Sequence, residues 1–89
     1  MKLTLAIPVY NQLQDAKPYL GLFKYNTSEE TEWMVIDNGS IDKYEDFIQR
    51  HIKPERMQFI RNKANIGLVK TIQQAYENCT TEILAITHN

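Results

Sequence analysis

Hydrophobic spacing switches repeatedly between continuous runs and helical repeats along this chain, and no other feature restricts its fold as much. LTLAIPVY (Leu3 to Tyr10) is nearly all apolar, the pattern of a strand covered on both faces. Pro8 has no N–H for a ladder, so it is expected where the chain leaves the sheet. Ala16, Tyr19, Leu20 and Phe23 then recur at three- and four-residue spacing and predict a helix of about three turns. Asp15 falls at its start and Pro18 in its first turn, where proline is tolerated. NTSEET breaks the pattern with polar turn formers. WMVID (Trp33 to Asp37) reads as a second buried strand. DKYEDFIQRHI follows, with Tyr44, Phe47, Ile48 and His51 or Ile52 on one helical face, and ends before Pro54. MQFIR (Met57 to Arg61) is a short third strand and NKANIG a loop. LVKTIQQAYENC places Leu68, Ile72, Ala75, Tyr76 and Cys79 on one stripe, and EILAIT (Glu82 to Thr87) is a fourth strand.

The resulting order, β-α-β-α-β-α-β, predicts an α/β fold: a three-layer parallel sheet, Rossmann-like, joined by right-handed crossovers with helices on both faces. A strand order of 3-2-1-4 puts the topological switch point beside the first strand, and ligands in such sheets bind at the carboxyl ends of the strands near it. The polar residues collect at that edge: Pro8 to Asn11, Asp37 to Ser40, Asn62 to Gly67, and His88-Asn89.

Several functions are set aside by composition. With 10 basic and 11 acidic side chains in 89 residues, no broad positive field attracts nucleic acid. No apolar run approaches the roughly 20 residues of a membrane span, and the short apolar N-terminus reads better as a strand than as a signal peptide. Cys79 has no second cysteine to pair with, which fits a reducing compartment and a cytoplasmic location. Its position suits a small apolar filler on a helix.

MVIDNGSID, residues 34 to 42, raises the functional question, because a buried strand runs straight into a dense polar knot. Part of the knot is explained without a ligand. Asp42-Lys43-Tyr44-Glu45 has the form of a capping box, and Gly39 suits a tight turn needing positive φ. Asp37 and Asn38 serve neither purpose. They leave the strand where Tyr10 and Asn11 also emerge, so an acceptor and an amide stand beside an apolar wall of Tyr10 or Pro8 and could hold a nucleobase. Ligand contact and turn structure are both open readings for them. Asn65-Ile66-Gly67 opens the third helix, whose free N–H groups could meet an anion with Lys70 one turn in, although Asn65 is also an acceptable cap. The absence of GxGxxG argues against a dinucleotide site. His51 suits a helix C-terminus, and there is no CxxC or HExxH. A phosphoacceptor receiver using Asp37 would need acidic residues after the first strand, where Tyr10-Asn11 stand.

LAIPVYN near the start, VIDNGSID after the second strand and NKANIG before the third helix resemble, in order and spacing, three successive motifs of family 2 glycosyltransferases with the GT-A fold. The likeness spans essentially the whole chain. It implies a nucleotide-sugar donor as partner, its base and ribose against Pro8, Tyr10, Asn11, Asp37 and Asn38. Asn65, Gly67 and Lys70 then lie toward the diphosphate. It also implies an acceptor hydroxyl compound, and a Mg²⁺ or Mn²⁺ ion held by carboxylates at the end of the fourth strand, where negative charge grows on the departing diphosphate.

Three features depart from the family pattern. Asn38 stands where a second Asp is frequent, Ile72-Gln73 where an Arg-Asn pair is common, and Thr87-His88-Asn89 where the metal motif belongs. Residues 1–89 are therefore expected to form a single nucleotide-sugar-binding domain that stops before the metal motif and the acceptor half. Such a domain is feeble or inactive alone. No catalytic or metal residue is assigned. The alternative is a non-catalytic α/β binding or dimerisation module pairing through an apolar edge strand.

Overall fold

A computed structural model describes residues 1–20, 30–51 and 57–87. β1 (Leu3–Val9), α1 (Leu13–Leu20), β2 (Thr31–Asn38), α2 (Tyr44–His51), β3 (Met57–Asn62), α3 (Leu68–Asn78) and β4 (Ile83–Ile86) follow one another along the chain. The strands form one sheet of order β3-β2-β1-β4, every neighbouring pair parallel, as the alternation predicts. Phe23, most of NTSEET, Ile52, Pro54, His88 and Asn89, and the surroundings of the His51 side chain, lie outside the described residues.

Strand periodicity sorts the core into two layers. Ile7, Val9 and Val35 face α1 and α2, where they meet Ala16, Leu20, Tyr44 and Ile48, with Trp33, Met57 and Phe59 packed alongside. Ala6, Met34 and Ile36 face the other way, onto Ala75 of α3, with Ile60, Leu84 and Ile86 at the margins. Each fully buried Ile, Val or Met contributes roughly 1.5–3 kcal/mol, so these two layers dominate what holds the sheet between its helices.

Pro8 sits one residue from the end of β1, as expected. Residues two apart in a parallel strand turn their backbone toward the same neighbour. Ala6 accepts the Thr87 N–H at 3.0 Å, so Pro8 turns its N–H-less nitrogen toward β4 just past the last paired position, Ala6 opposite Ile86. The proline marks the point where β1 must leave the sheet.

Three local expectations need correction. α1 begins at Leu13, so Pro18 lies inside the helix rather than in its first turn, and the carbonyl one turn before it has no N–H to accept there. The helix starts early because Asn11 and Gln12, at φ 50° and 53°, reverse the chain within two residues. The Gln12 carbonyl then takes the N–H groups of Asp15 and Ala16.

The capping box on α2 does not form. Asp42 turns its carboxylate to the Leu13 N–H at 2.9 Å and so caps α1 from a different segment, while Glu45 pairs with Gln49 at 3.5 Å. The stripe on α3 is rotated as well. Thr71 and Ala75 are its buried residues, whereas Leu68, Val69, Ile72 and Tyr76 are exposed, and Cys79 follows the last turn. Two small side chains let the helix approach Ala6 and Asn38 closely. Gln74 and Asn78 bond to Asn62 and Gln58 of β3, which turns the larger apolar residues outward. Cys79 bonds to Thr81, whose hydroxyl lies 2.7 Å from that of Thr4, so the thiol sits at the amino end of the sheet. Among the described residues, no helix is long and apolar enough to cross a membrane.

Candidate functional site

The carboxyl ends of β1 and β2 and the start of α3 surround an open cavity of about 530 Å³. This is the switch point of the sheet, where β1 is followed on one side by β2 and on the other by β4. Of the residues singled out in the sequence, Pro8, Tyr10, Asn11, Asn38, Asn65 and Gly67 line it. Tyr10 presents its ring with 52% exposure, a flat apolar surface at the mouth.

Asp37 and Lys70 do not join them. Adjacent strand residues point to opposite faces, so Asn38 turns to the α3 side and Asp37 to the α2 side. The Asp37 carboxylate is only 1% exposed, accepts the Ser40 N–H at 2.9 Å, and lines a separate depression of about 310 Å³ with Asp42 and Arg61. Lys70 is exposed on α3.

Much of the polar knot after β2 ties two loops together. Asn11 donates its N–H to Ser40 Oγ at 2.7 Å, its Oδ1 accepts the Ile41 N–H at 2.8 Å, and its carbonyl accepts the Tyr44 hydroxyl. Asn11 suits this position because its short amide tolerates positive φ while bonding locally. Asp42 adds a further link to Leu13. The β1–α1 loop, which carries Tyr10, is thereby clamped to the DNGSID segment before any ligand arrives. The density of polar residues in residues 37–42 is largely this clamp.

The third wall is the start of α3. Gly67 stands at its N-cap with φ 83° and ψ 167°, a region essentially restricted to glycine, and no side chain caps the first turn. Asn65 is not that cap: its Oδ1 takes the Gly67 N–H at 2.9 Å. The uncapped N–H groups of the first turn adjoin the cavity, where Gly67, Leu68 and Thr71 form the lining.

Gln12, Asp15, Tyr44, Thr71 and Thr87 complete the polar lining and were not singled out as ligand contacts in the sequence. Thr71 had a legible signal, a hydroxyl one turn after Gly67 on the face that packs against the sheet. Tyr44 had none, because its apolar ring reads as core.

Among the described residues, the walls carry one carboxylate, Asp15, and no histidine, cysteine, lysine or arginine. Among the described residues, no group of three or more His, Cys, Asp or Glu side chains is placed to hold a metal ion. A hard divalent cation requires several oxygen ligands, usually including carboxylates, so the described residues do not make such a site.

A search of curated proteins finds no match. Among solved structures, a match is the mannosyltransferase PcManGT from Pyrobaculum calidifontis in complex with GDP-Man and Mn²⁺. The TM-score is 0.80 at 18% identity, over 93% of this chain and 26% of that one. The chain thus spans about a quarter of that enzyme's length, and the likeness establishes the shared GT-A fold. The sequence profile of Glycosyl transferase family 2 matches residues 4–89. With all three motif segments meeting at the switch point of a GT-A sheet, the chain belongs to glycosyltransferase family 2.

Proposed function

We propose that this chain is the donor-binding portion of a glycosyltransferase and that its cavity receives the nucleoside of a nucleoside diphosphate sugar. The observation that carries this reading is the convergence of Tyr10, Asn38 and Gly67, far apart in sequence, on one cavity at the carboxyl edge of the sheet. The lining suits a nucleoside. Tyr10 and Pro8 supply apolar surface for a base, and the side-chain amides of Gln12 and Asn65 supply hydrogen bonds for base and ribose. The diphosphate is directed toward the uncapped first turn of α3, where N–H groups and the helix dipole favour negative charge, with Lys70 further along the same helix.

In the reaction so proposed, the bond from the anomeric carbon to the diphosphate breaks and one forms to an acceptor oxygen. The acceptor proton passes to a base. The described residues offer the nucleoside site but neither a metal-binding carboxylate set nor an assigned base, so the isolated chain binds donor weakly and turns it over feebly. Calorimetric titration with UDP-, dTDP- and GDP-sugars, GDP-mannose included, is expected to give dissociation constants no tighter than about the micromolar range for at least one donor. Transfer assays with Mn²⁺ are expected to give little or no product. No binding by any donor contradicts the site, and robust turnover contradicts the division of labour.

A second reading, a binding or dimerisation module, is favoured by one observation. Leu68, Val69, Ile72 and Tyr76 stand exposed on α3, and β4 is an edge strand of the sheet. Sedimentation velocity separates the two. A monomer at about 100 µM with intact donor binding supports the transferase portion. A dimer abolished by Ile72→Lys, with no donor binding, supports the module.

A further inference from the structure

We propose that Asn38, Asn62 and Thr71 form a positioning relay of fixed polarity that sets the first turn of α3 against the cavity, so that Asn38 is committed to the fold rather than to reading a base. The consequence for ligand affinity rests on the nucleotide-site reading above; the relay itself does not.

The polarity follows from one carbonyl. Gly67 O can only accept, and it takes both the Thr71 N–H at 3.1 Å and, from Oγ1 at 2.6 Å, the single hydroxyl proton of Thr71. The Thr71 hydroxyl then has only lone pairs left for Asn38, 3.0 Å away, and the atom facing it must be the Asn38 Nδ2 donor. That turns Asn38 Oδ1 to Asn62, whose Nδ2 donates to it at 2.8 Å. Asn62 in turn faces Gln74 amide to amide, with Nδ2 donating at 3.0 Å and Oδ1 accepting at 2.8 Å. The chain leaves α3 at Thr71, crosses β2 and β3, and returns to α3 at Gln74. Thr71 is 1% and Asn38 7% exposed, so water is poorly placed to replace a lost partner. With Gly67 O drawn back toward Thr71, the glycine is held in its glycine-only conformation at the cavity wall.

An aspartate cannot occupy position 38 in this scheme. An ionised carboxylate only accepts, and it would set an oxygen against a hydroxyl whose proton is already committed. A protonated carboxyl regains one donor. The partners at this position, Asn62 and Thr71, are neutral, as is Gln74 beyond Asn62. Asp37 and Arg61 are neighbours across the ladder on the opposite face of the sheet, and Lys70 is exposed. The carboxyl of N38D is therefore expected to titrate above the ordinary aspartate value of about 3.9. Its ionised form is the misfit, so the defect is present above that raised value and is relieved as pH falls below it.

The test compares the full chain with T71S, T71V and N38D, read by the backbone amide resonances of Gly67 and Leu68 without nucleotide, then by donor affinity. T71S is expected to match the parent. T71V and N38D at pH 7.5 are expected to move the Gly67 and Leu68 signals while those of β1 stay in place, and to weaken donor binding about tenfold. As pH is lowered through that raised value, only N38D is expected to return. Unmoved Gly67 and Leu68 signals in T71V overturn the relay, as does an N38D spectrum that does not change with pH. Loss of folding by T71V while T71S folds also overturns it, because the hydroxyl would then carry the domain rather than place one turn. A parent chain that binds no nucleotide defeats the functional reading alone, since the resonances are read without ligand.

Discussion

Gly39→Ala is expected to lower the melting temperature by roughly 12–24 °C. Gly39 has φ 79°, and a Cβ built on it would lie 2.7 Å from Ala64 Cα and 2.9 Å from Ala64 C. Two costs add. A left-handed conformation costs an alanine about 1–2 kcal/mol. Overpacking against backbone costs about 1–3 kcal/mol, because main chain cannot rotate away as a flexible side chain can. A total of about 3 kcal/mol converts at roughly 4–8 °C per kcal/mol for a domain of this size. That is a large share of the roughly 4–13 kcal/mol such a chain possesses. Gly67→Ala is the control. Its φ is 83° and its ψ 167°, and nothing lies within 4 Å of the added atom, so a backbone cost of about 1–3 kcal/mol acts alone. Thermal denaturation by circular dichroism checks both. A loss at Gly39 below about 2 kcal/mol would mean that the contact between the DNGSID turn and the β3–α3 loop is looser than 2.7 Å implies.

Tyr44 carries the second large effect. Its ring is 1% exposed in the layer between the sheet, α1 and α2, and its hydroxyl donates to the Asn11 carbonyl, which closes the clamp between the two loops. Tyr44→Ala is expected to cost about 3–5 kcal/mol through lost burial and the cavity left behind. Tyr44→Phe keeps the ring and is expected to cost about 1–2 kcal/mol through the lost hydrogen bond. Urea denaturation separates the terms. A phenylalanine variant as stable as the parent would show that the clamp does not depend on the hydroxyl, and an alanine variant losing less than about 2 kcal/mol would contradict the ring's place in the core.

The layered architecture was legible because it depends on periodicity. Continuous apolar runs at Leu3–Val9 and around Val35 can only be strands covered twice, and the helices between them force parallel pairing. Pro8 was legible for the same reason, since a missing N–H has few places to go in a ladder. What failed were assignments requiring knowledge of which distant segment a polar side chain meets. Asp42 looks like a cap for the helix it precedes, yet it caps α1, because the clamp brings Leu13 closer than its own first turn. Asp37 and Asn38 look like a pair but line different depressions. Strand alternation alone separates them, and that step could have been taken from the sequence. On α3 the apolar stripe dominates the sequence pattern, while the small residues are the ones that pack. Close approach to the sheet is set by Thr71 and Ala75, with Gln74 and Asn78 held to β3, so volume and hydrogen bonding outweighed hydrophobicity.

The central proposal is that one cavity, built from the ends of β1 and β2 and the start of α3, holds the nucleoside of a sugar donor. Its most direct test is an ¹⁵N–¹H titration of the chain with UDP- and GDP-sugars. Saturable shifts are expected to cluster at Tyr10, Asn11, Asn65, Gly67 and Leu68, with Cys79 and Thr81 at the opposite end of the sheet unmoved. Shifts centred on Asp37, Asp42 and Arg61 instead, or none from any donor at millimolar concentration, would contradict it.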